Sequence, residues 1–256
     1  MGSQKPLILI TNDDGYQARG IQSLIDALKD LGDIVVFAPS QHQSGMSSAI
    51  TSAIPLRARL INTEDNVTTY ICNGTPVDCV KLAFNNYLER KPDLVVSGIN
   101  HGSNAAISVL YSGTMGAAIE GCIFGVPSFG MSLTDFYPDA DFTGAKQVAH
   151  AVAEQVLQKG LPDSICLNVN VPKGEIKGIR ISKQTPGKWV DEFFKSKDAA
   201  GRNIYWLTGK FENRAQEDES TDEWALANNF ASIVPVKIDM TAYDYIPELQ
   251  KWEFIG

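Results

Sequence analysis

Pro6–Gly15 reads PLILITNDDG, and this stretch decides the fold. Pro6–Thr11 is a short, nearly continuous apolar run, the pattern of a strand buried on both faces. Ile21–Leu31 (IQSLIDALKDL) then carries Ile21, Leu24, Ile25, Leu28 and Leu31 on one helical face. Asp33–Pro39 (DIVVFAP) is a second buried strand. Strand, loop, helix and strand in this order open a doubly wound parallel sheet, an α/β architecture.

The pattern continues outward. Ile50–Leu60 and Asn66–Asn73 predict an antiparallel excursion, and Pro76–Tyr87 a helix with proline in its first turn. Pro92–Ser97 and Pro127–Ser132 predict strands, Thr114–Phe124 and Gly144–Lys159 helices, and Ile165–Val171 the last core strand. The core accordingly spans residues 1–176 of a single domain, and residues 177–256 form an extension. All four tryptophans (Trp189, Trp206, Trp224, Trp252) fall in that extension, where Asn203–Leu207 and Ala231–Ile238 predict strands. Such aromatics suit either an arm packed on a neighbouring subunit or a second sheet on the same chain. The acidic run Glu217–Glu223 reads as a solvated loop.

Composition narrows the function classes. Lys and Arg number 22 against 30 Asp and Glu in 256 residues, a net charge of −8, which disfavours a nucleic-acid partner. The N-terminal segment lacks the pattern of a signal peptide or a membrane span, and four cysteines without CxxC spacing read as buried thiols. A cytoplasmic protein is expected.

The chemistry gathers at one sheet edge. Asp13 and Asp14 follow the first strand, where open α/β sheets place their sites. A dinucleotide fold needs a glycine-rich turn there, and two adjacent carboxylates would repel a pyrophosphate. They are costly together unless a cation joins them or one takes a proton. The Ser-rich loop Pro39–Ser48 leaves the second strand at the same edge, and Asn100, Ser103 and Asn104 follow Ser97 there. Asp, Ser and Asn form a hard, all-oxygen set suited to Mg²⁺, Mn²⁺ or Ca²⁺. Ser112, Gly113 and Thr114 open the next helix, whose free N–H groups favour an anion. A divalent cation beside an anion-binding helix start is what phosphate-ester hydrolysis needs. His42 and His101 lie in the same loops as candidate proton donors or substrate contacts, while GxSxG and Walker A motifs are absent.

At these residues the chain resembles the stationary-phase survival protein SurE family of metal-dependent nucleotidases. The resemblance is carried by ILITNDDG at Ile8–Gly15, APSQHQSGMS at Ala38–Ser47 and NGTPVDCV at Asn73–Val80. It continues through PDLVVSGINHGSN at Pro92–Asn104 and YSGTMGAAIEG at Tyr111–Gly121. It implies a Rossmann-like three-layer core with a C-terminal β-rich extension exchanged between subunits, in a homodimer or homotetramer. It also implies one divalent ion per subunit, Mg²⁺ or Mn²⁺, on Asp13, Asp14, Ser44 and Asn100, with Asp13 and Asp14 catalytic. Phosphate and substrate contacts then fall to Asn12, Gly45, Asn104, Ser112, Gly113 and Thr114. The implied activity is 5′-nucleotidase, with 3′-nucleotidase and exopolyphosphatase side activities. A metal-linked nucleotide-binding module without turnover is the alternative, and whether Asp14 orients water or a carboxylate attacks stays open. Ala105, Ala106 and Ser108 stand where relatives often carry Leu, Gly and Asp, which bears on the pocket rim and on substrate preference.

Overall fold

A computed structural model describes residues 5–254. The core strands are β1 (Leu7–Thr11), β2 (Asp33–Pro39), β3 (Ala58–Glu64), β4 (Val67–Cys72), β5 (Leu94–His101), β6 (Ser128–Leu133) and β7 (Ile165–Val171). Between them run α1 (Arg19–Leu28), α2 (Pro76–Leu82), α3 (Gly113–Ile123) and α4 (Thr143–Lys159). The extension holds β8 (Gly178–Ile181), β9 (Gly187–Val190), β10 (Phe193–Lys197), β11 (Asn203–Leu207) and β12 (Lys210–Asn213). It closes with α5 (Asp222–Ala227), β13 (Phe230–Lys237) and α6 (Ile246–Leu249).

One nine-stranded sheet runs β3-β4-β2-β1-β5-β6-β7-β13-β8. Strands β4, β2, β1, β5, β6 and β7 are parallel neighbours, while β3 is antiparallel to β4 and β13 to β7. The predicted sheet stops at β7, but the extension adds β13 and β8 to its far edge. Pairing over such sequence separation leaves no local signal. The excursion also shifts: residues 50–57 are irregular and the outer strand starts at Ala58.

Side chains of β1 alternate between two layers, as strand geometry requires. Ile8 and Ile10 pack with Ile21, Leu24 and Leu28 of α1 and with Val152 of α4. Leu9 packs on the opposite face with Val80 of α2 and Ala117 of α3. A buried leucine such as Leu24 contributes about 1.5–3 kcal/mol by leaving water. Gly20 is required sterically, because a Cβ there would meet the Ile99 carbonyl oxygen at 1.9 Å. Among the described residues, no helix is long and apolar enough to cross a membrane.

The chain order reverses at β1, which lies between β2 and β5. This is the switch point at which open α/β sheets leave a crevice beyond their carboxyl ends.

Candidate active site

The crevice is built from the loops that leave β1, β2 and β5, together with the start of α3. After β1, the Asn12 amide Nδ2 donates to the Gly15 carbonyl at 2.9 Å and closes the turn that carries Asp13 and Asp14. Gly15 takes φ +93°, which favours glycine. The Gln43 N–H donates to the Asp13 carbonyl at 2.7 Å, tying the Ser44 loop to the β1 turn. His42 then sits between two predicted ligands. Its Nδ1 is 3.3 Å from Asp14 Oδ1 and its Nε2 is 2.8 Å from Ser44 Oγ. On the β5 side, the His101 N–H donates to Asp14 Oδ2 at 3.3 Å.

Asn100 Nδ2 donates to the Gly102 carbonyl at 2.9 Å, which commits its amide nitrogen and leaves the oxygen for a cation. The start of α3 abuts Asp13. Thr114 donates its hydroxyl to Asp13 Oδ1 at 2.8 Å, and a Cβ on Gly113 would lie 3.0 Å from Asp13 Cβ. Ser112 caps the helix by accepting the Met115 N–H at 3.0 Å. The first-turn N–H groups of Gly113 and Thr114 have no intrahelical acceptor and suit an anion.

Asp13, Ser44, Gly45, Asn100, Asn104 and Ser112 line one cavity of about 710 Å³, ample for a small ligand. Asp14 reaches this group through His42 and His101. Gly113 and Thr114 stand behind Asp13, with the Thr114 side chain fully buried and its hydroxyl committed to that carboxylate. Asn12 is also fully buried, so its side chain shapes the turn beneath the cavity, and its Oδ1 has no partner among the described residues.

The outer wall is apolar. Tyr111, Phe136, Trp189 and Leu207 line it, and Trp189 Nε1 donates to Ser108 Oγ at 3.3 Å. Phe136 and Leu207 were not anticipated, and the tryptophan signal in the extension was read only as packing. Glu192 and Thr208 join them from the segments flanking β10 and β11.

The cavity's electrostatics test whether a divalent cation fits. Among the described residues no lysine or arginine lines it, although Asp13 and Glu192 do. Asp13 is pushed up to about 6, first by burial and then by the adjacent Asp14 charge, with the Thr114 hydroxyl pulling the other way. An acid pair with Asp13 buried and Asp14 partly buried, with no lysine or arginine partner among the described residues and with Ser and Asn oxygens nearby, fits a hard cation well.

The family profile described as Survival protein SurE matches residues 8–191. The chain belongs to the SurE family. It is 50% identical over 254 residues to a protein named 5′-nucleotidase SurE from Bacteroides fragilis, covering 99% of this chain and 100% of that one. It is 52% identical to the 5′-nucleotidase SurE of Flavobacterium psychrophilum, with 97% and 98% covered. The crystal structure of the SurE protein from Aquifex aeolicus matches with a TM-score of 0.82 at 38% identity, covering 96% of this chain and 98% of that one. The SurE match thus takes in both the site loops and, in the full-length relatives, the extension.

Proposed function

We propose that the chain is a 5′-nucleotidase that hydrolyses nucleoside monophosphates to nucleoside and phosphate with the help of one Mg²⁺ or Mn²⁺ ion per subunit. The observation that carries this reading is the oxygen-rich cavity, lined by no lysine or arginine among the described residues, in which Asp13, Ser44 and Asn100 face the start of α3. Asp13, Asp14, Ser44 and Asn100 would hold the ion. When bound, it supplies Lewis-acid polarisation of a phosphate oxygen and makes water a stronger nucleophile.

The chain's own residues do the rest. The N–H groups of Gly113 and Thr114, with Ser112, hold phosphate oxygens and offset charge that spreads in the transition state. Thr114 keeps Asp13 ionised and oriented. Water attacks phosphorus, the bond from phosphorus to the nucleoside oxygen breaks, and that oxygen departs as the alcohol with a proton that comes from the attacking water. The apolar wall of Tyr111, Phe136 and Trp189 receives the nucleoside end. 3′-Nucleotides and short polyphosphate offer the same terminal phosphate and are proposed as weaker substrates.

Within the extension, residues 177–256, β8 and β13 complete the chain's own sheet, and the β10–β11 hairpin is proposed as the arm exchanged in a homodimer or homotetramer. Phe193, Phe194, Tyr205, Trp206 and Leu207 support this, because the β10–β11 hairpin leaves all five exposed. Four free, buried cysteines suit the cytoplasm. Phosphate release from a panel of nucleoside 5′- and 3′-monophosphates tests the substrate class. Faster release from 5′-nucleotides than from simple alkyl phosphates is expected. Saturable nucleotide binding without release would overturn the reading.

A further inference from the structure

The acidic run Glu217–Glu223, expected to be a solvated loop, contains a buried carboxylate. Asp222 is 1% exposed and accepts four hydrogen bonds. Its Oδ1 takes the Thr185 N–H at 3.0 Å, the Thr185 hydroxyl and the Glu223 N–H at 2.9 Å, all within the extension. Among the described residues its Oδ2 takes a single donor, the Ala106 N–H at 2.8 Å, from 116 residues away in the chain. Ala106 lies two residues past Asn104 and holds φ +51°, a left-handed conformation that an alanine adopts only when its surroundings impose it.

The same loop is fastened from the sheet. The Asn104 N–H donates to Asn170 Oδ1 and its Nδ2 to Ser132 Oγ, both at 2.8 Å. Asn168 Nδ2 donates to the Asn104 carbonyl at 2.8 Å, and Asn170 Nδ2 donates to Asn168 Oδ1 at 2.9 Å. Gly102, in this loop, accepts from the Asn100 amide. The segment that presents Asn100 and Asn104 to the cavity is therefore held between β6 and β7 on one side and Asp222 on the other.

We propose that Asp222 is a positioning residue for phosphoester hydrolysis: through the Ala106 N–H it ties the C-terminal extension to the loop that carries Asn104, and so fixes that loop against the cavity. The inference rests on the nucleotidase reading above. Burying a carboxylate is costly unless every lone pair is used, and the bond to Ala106 is the one that the extension itself does not need.

The two oxygens allow selective cuts. In Asp222→Asn the amide oxygen can keep Thr185 and Glu223, which leaves its NH₂ facing the Ala106 N–H, donor against donor. Thr185→Val removes the hydroxyl's bonds to Asp222 Oδ1 and from the Glu223 N–H, on the opposite side, and leaves Ala106 held. At saturating metal and nucleotide, Asp222→Asn should lower kcat about tenfold or more with little change in KM, whereas Thr185→Val should stay within about twofold in kcat even if it lowers Tm as much. Hydrogen exchange should quicken across residues 102–108 in Asp222→Asn only. Equal kcat in the two variants, or unchanged exchange in Asp222→Asn, would overturn the proposal. If Asp222→Asn does not fold, the wild-type protein still decides: the Ala106 amide must exchange slowly, and fast exchange there refutes the tether. Absence of metal-dependent phosphate release from the wild-type protein would defeat the nucleotidase reading instead, while the exchange data would still report on the tether.

Discussion

Thr114 donates its hydroxyl to Asp13 Oδ1 across 2.8 Å, with both side chains buried. Helix α3 thus acts directly on the acid at the end of β1. Removing the donor in Thr114→Val takes away the largest of the contacts that favour ionised Asp13, so burial and Asp14, which favour its protonated form, weigh more. Turnover should fall about tenfold or more, and the acidic limb of the pH–rate profile should move to higher pH. Thr114→Ser should restore both. An unmoved pH profile in Thr114→Val would contradict this role.

Gly113 keeps that contact possible. An alanine Cβ would stand 3.0 Å from Asp13 Cβ and 3.1 Å from Oδ2, so the carboxylate or the helix must shift. Alanine is otherwise welcome in a helix, so Gly113→Ala should cost little in Tm and about tenfold to a hundredfold in kcat/KM. Paired thermal melts and steady-state kinetics check the separation.

The metal-free protein should reveal Asp13 through its stability. The folded carboxyl sits at about 6, above its ordinary 3.8, so between these values the folded state holds more protons than the unfolded. Its stabilising contribution is complete below the lower value and is lost as pH rises through the upper one, a swing on the order of 2–3 kcal/mol. Asp13→Asn should flatten this fall when Tm is followed from pH 4 to 7.5 after chelation. Added Mg²⁺ or Mn²⁺ should raise the wild-type Tm more at pH 7.5 than at pH 5, because cation and proton compete for one site.

Trp189 makes a prediction about affinity. Its ring lines the cavity and is steadied by Ser108, far from Asp13 in sequence but on the same wall as Tyr111 and Phe136. Trp189→Ala should raise KM for nucleoside monophosphates by the loss of about 1–1.5 kcal/mol of aromatic contact, roughly five- to tenfold. A small phosphomonoester without a base should be hydrolysed as before. Equal loss on both substrates would remove Trp189 from base recognition.

The elements that were legible from the sequence are those whose burial pattern is local. β1, α1, β2 and β5 show apolar runs or a helical stripe long enough to identify them, and their order placed Asp13, Ser44 and Asn100 at one edge. Asn12 and Thr114 were anticipated as substrate contacts; their side chains lie fully buried, which leaves the Thr114 backbone N–H as its group for an anion. Residue type and position do not reveal which way a side chain turns. The sheet's last two strands, the outer wall of the cavity and Asp222 depend on pairings across many residues. An aspartate in an acidic run looks the same whether it meets water or four protein donors.

In the proposed chemistry the oxygen set at the end of β1 works through a divalent cation. Wild-type and Asp13→Asn proteins, stripped with EDTA, should be assayed side by side for phosphate release from a nucleoside 5′-monophosphate before and after Mg²⁺ or Mn²⁺ is restored. The account predicts no release from either stripped protein, recovery in the wild type, and none in the folded Asp13→Asn variant. Release that persists through EDTA, or a variant that recovers as fully as the wild type, would contradict it.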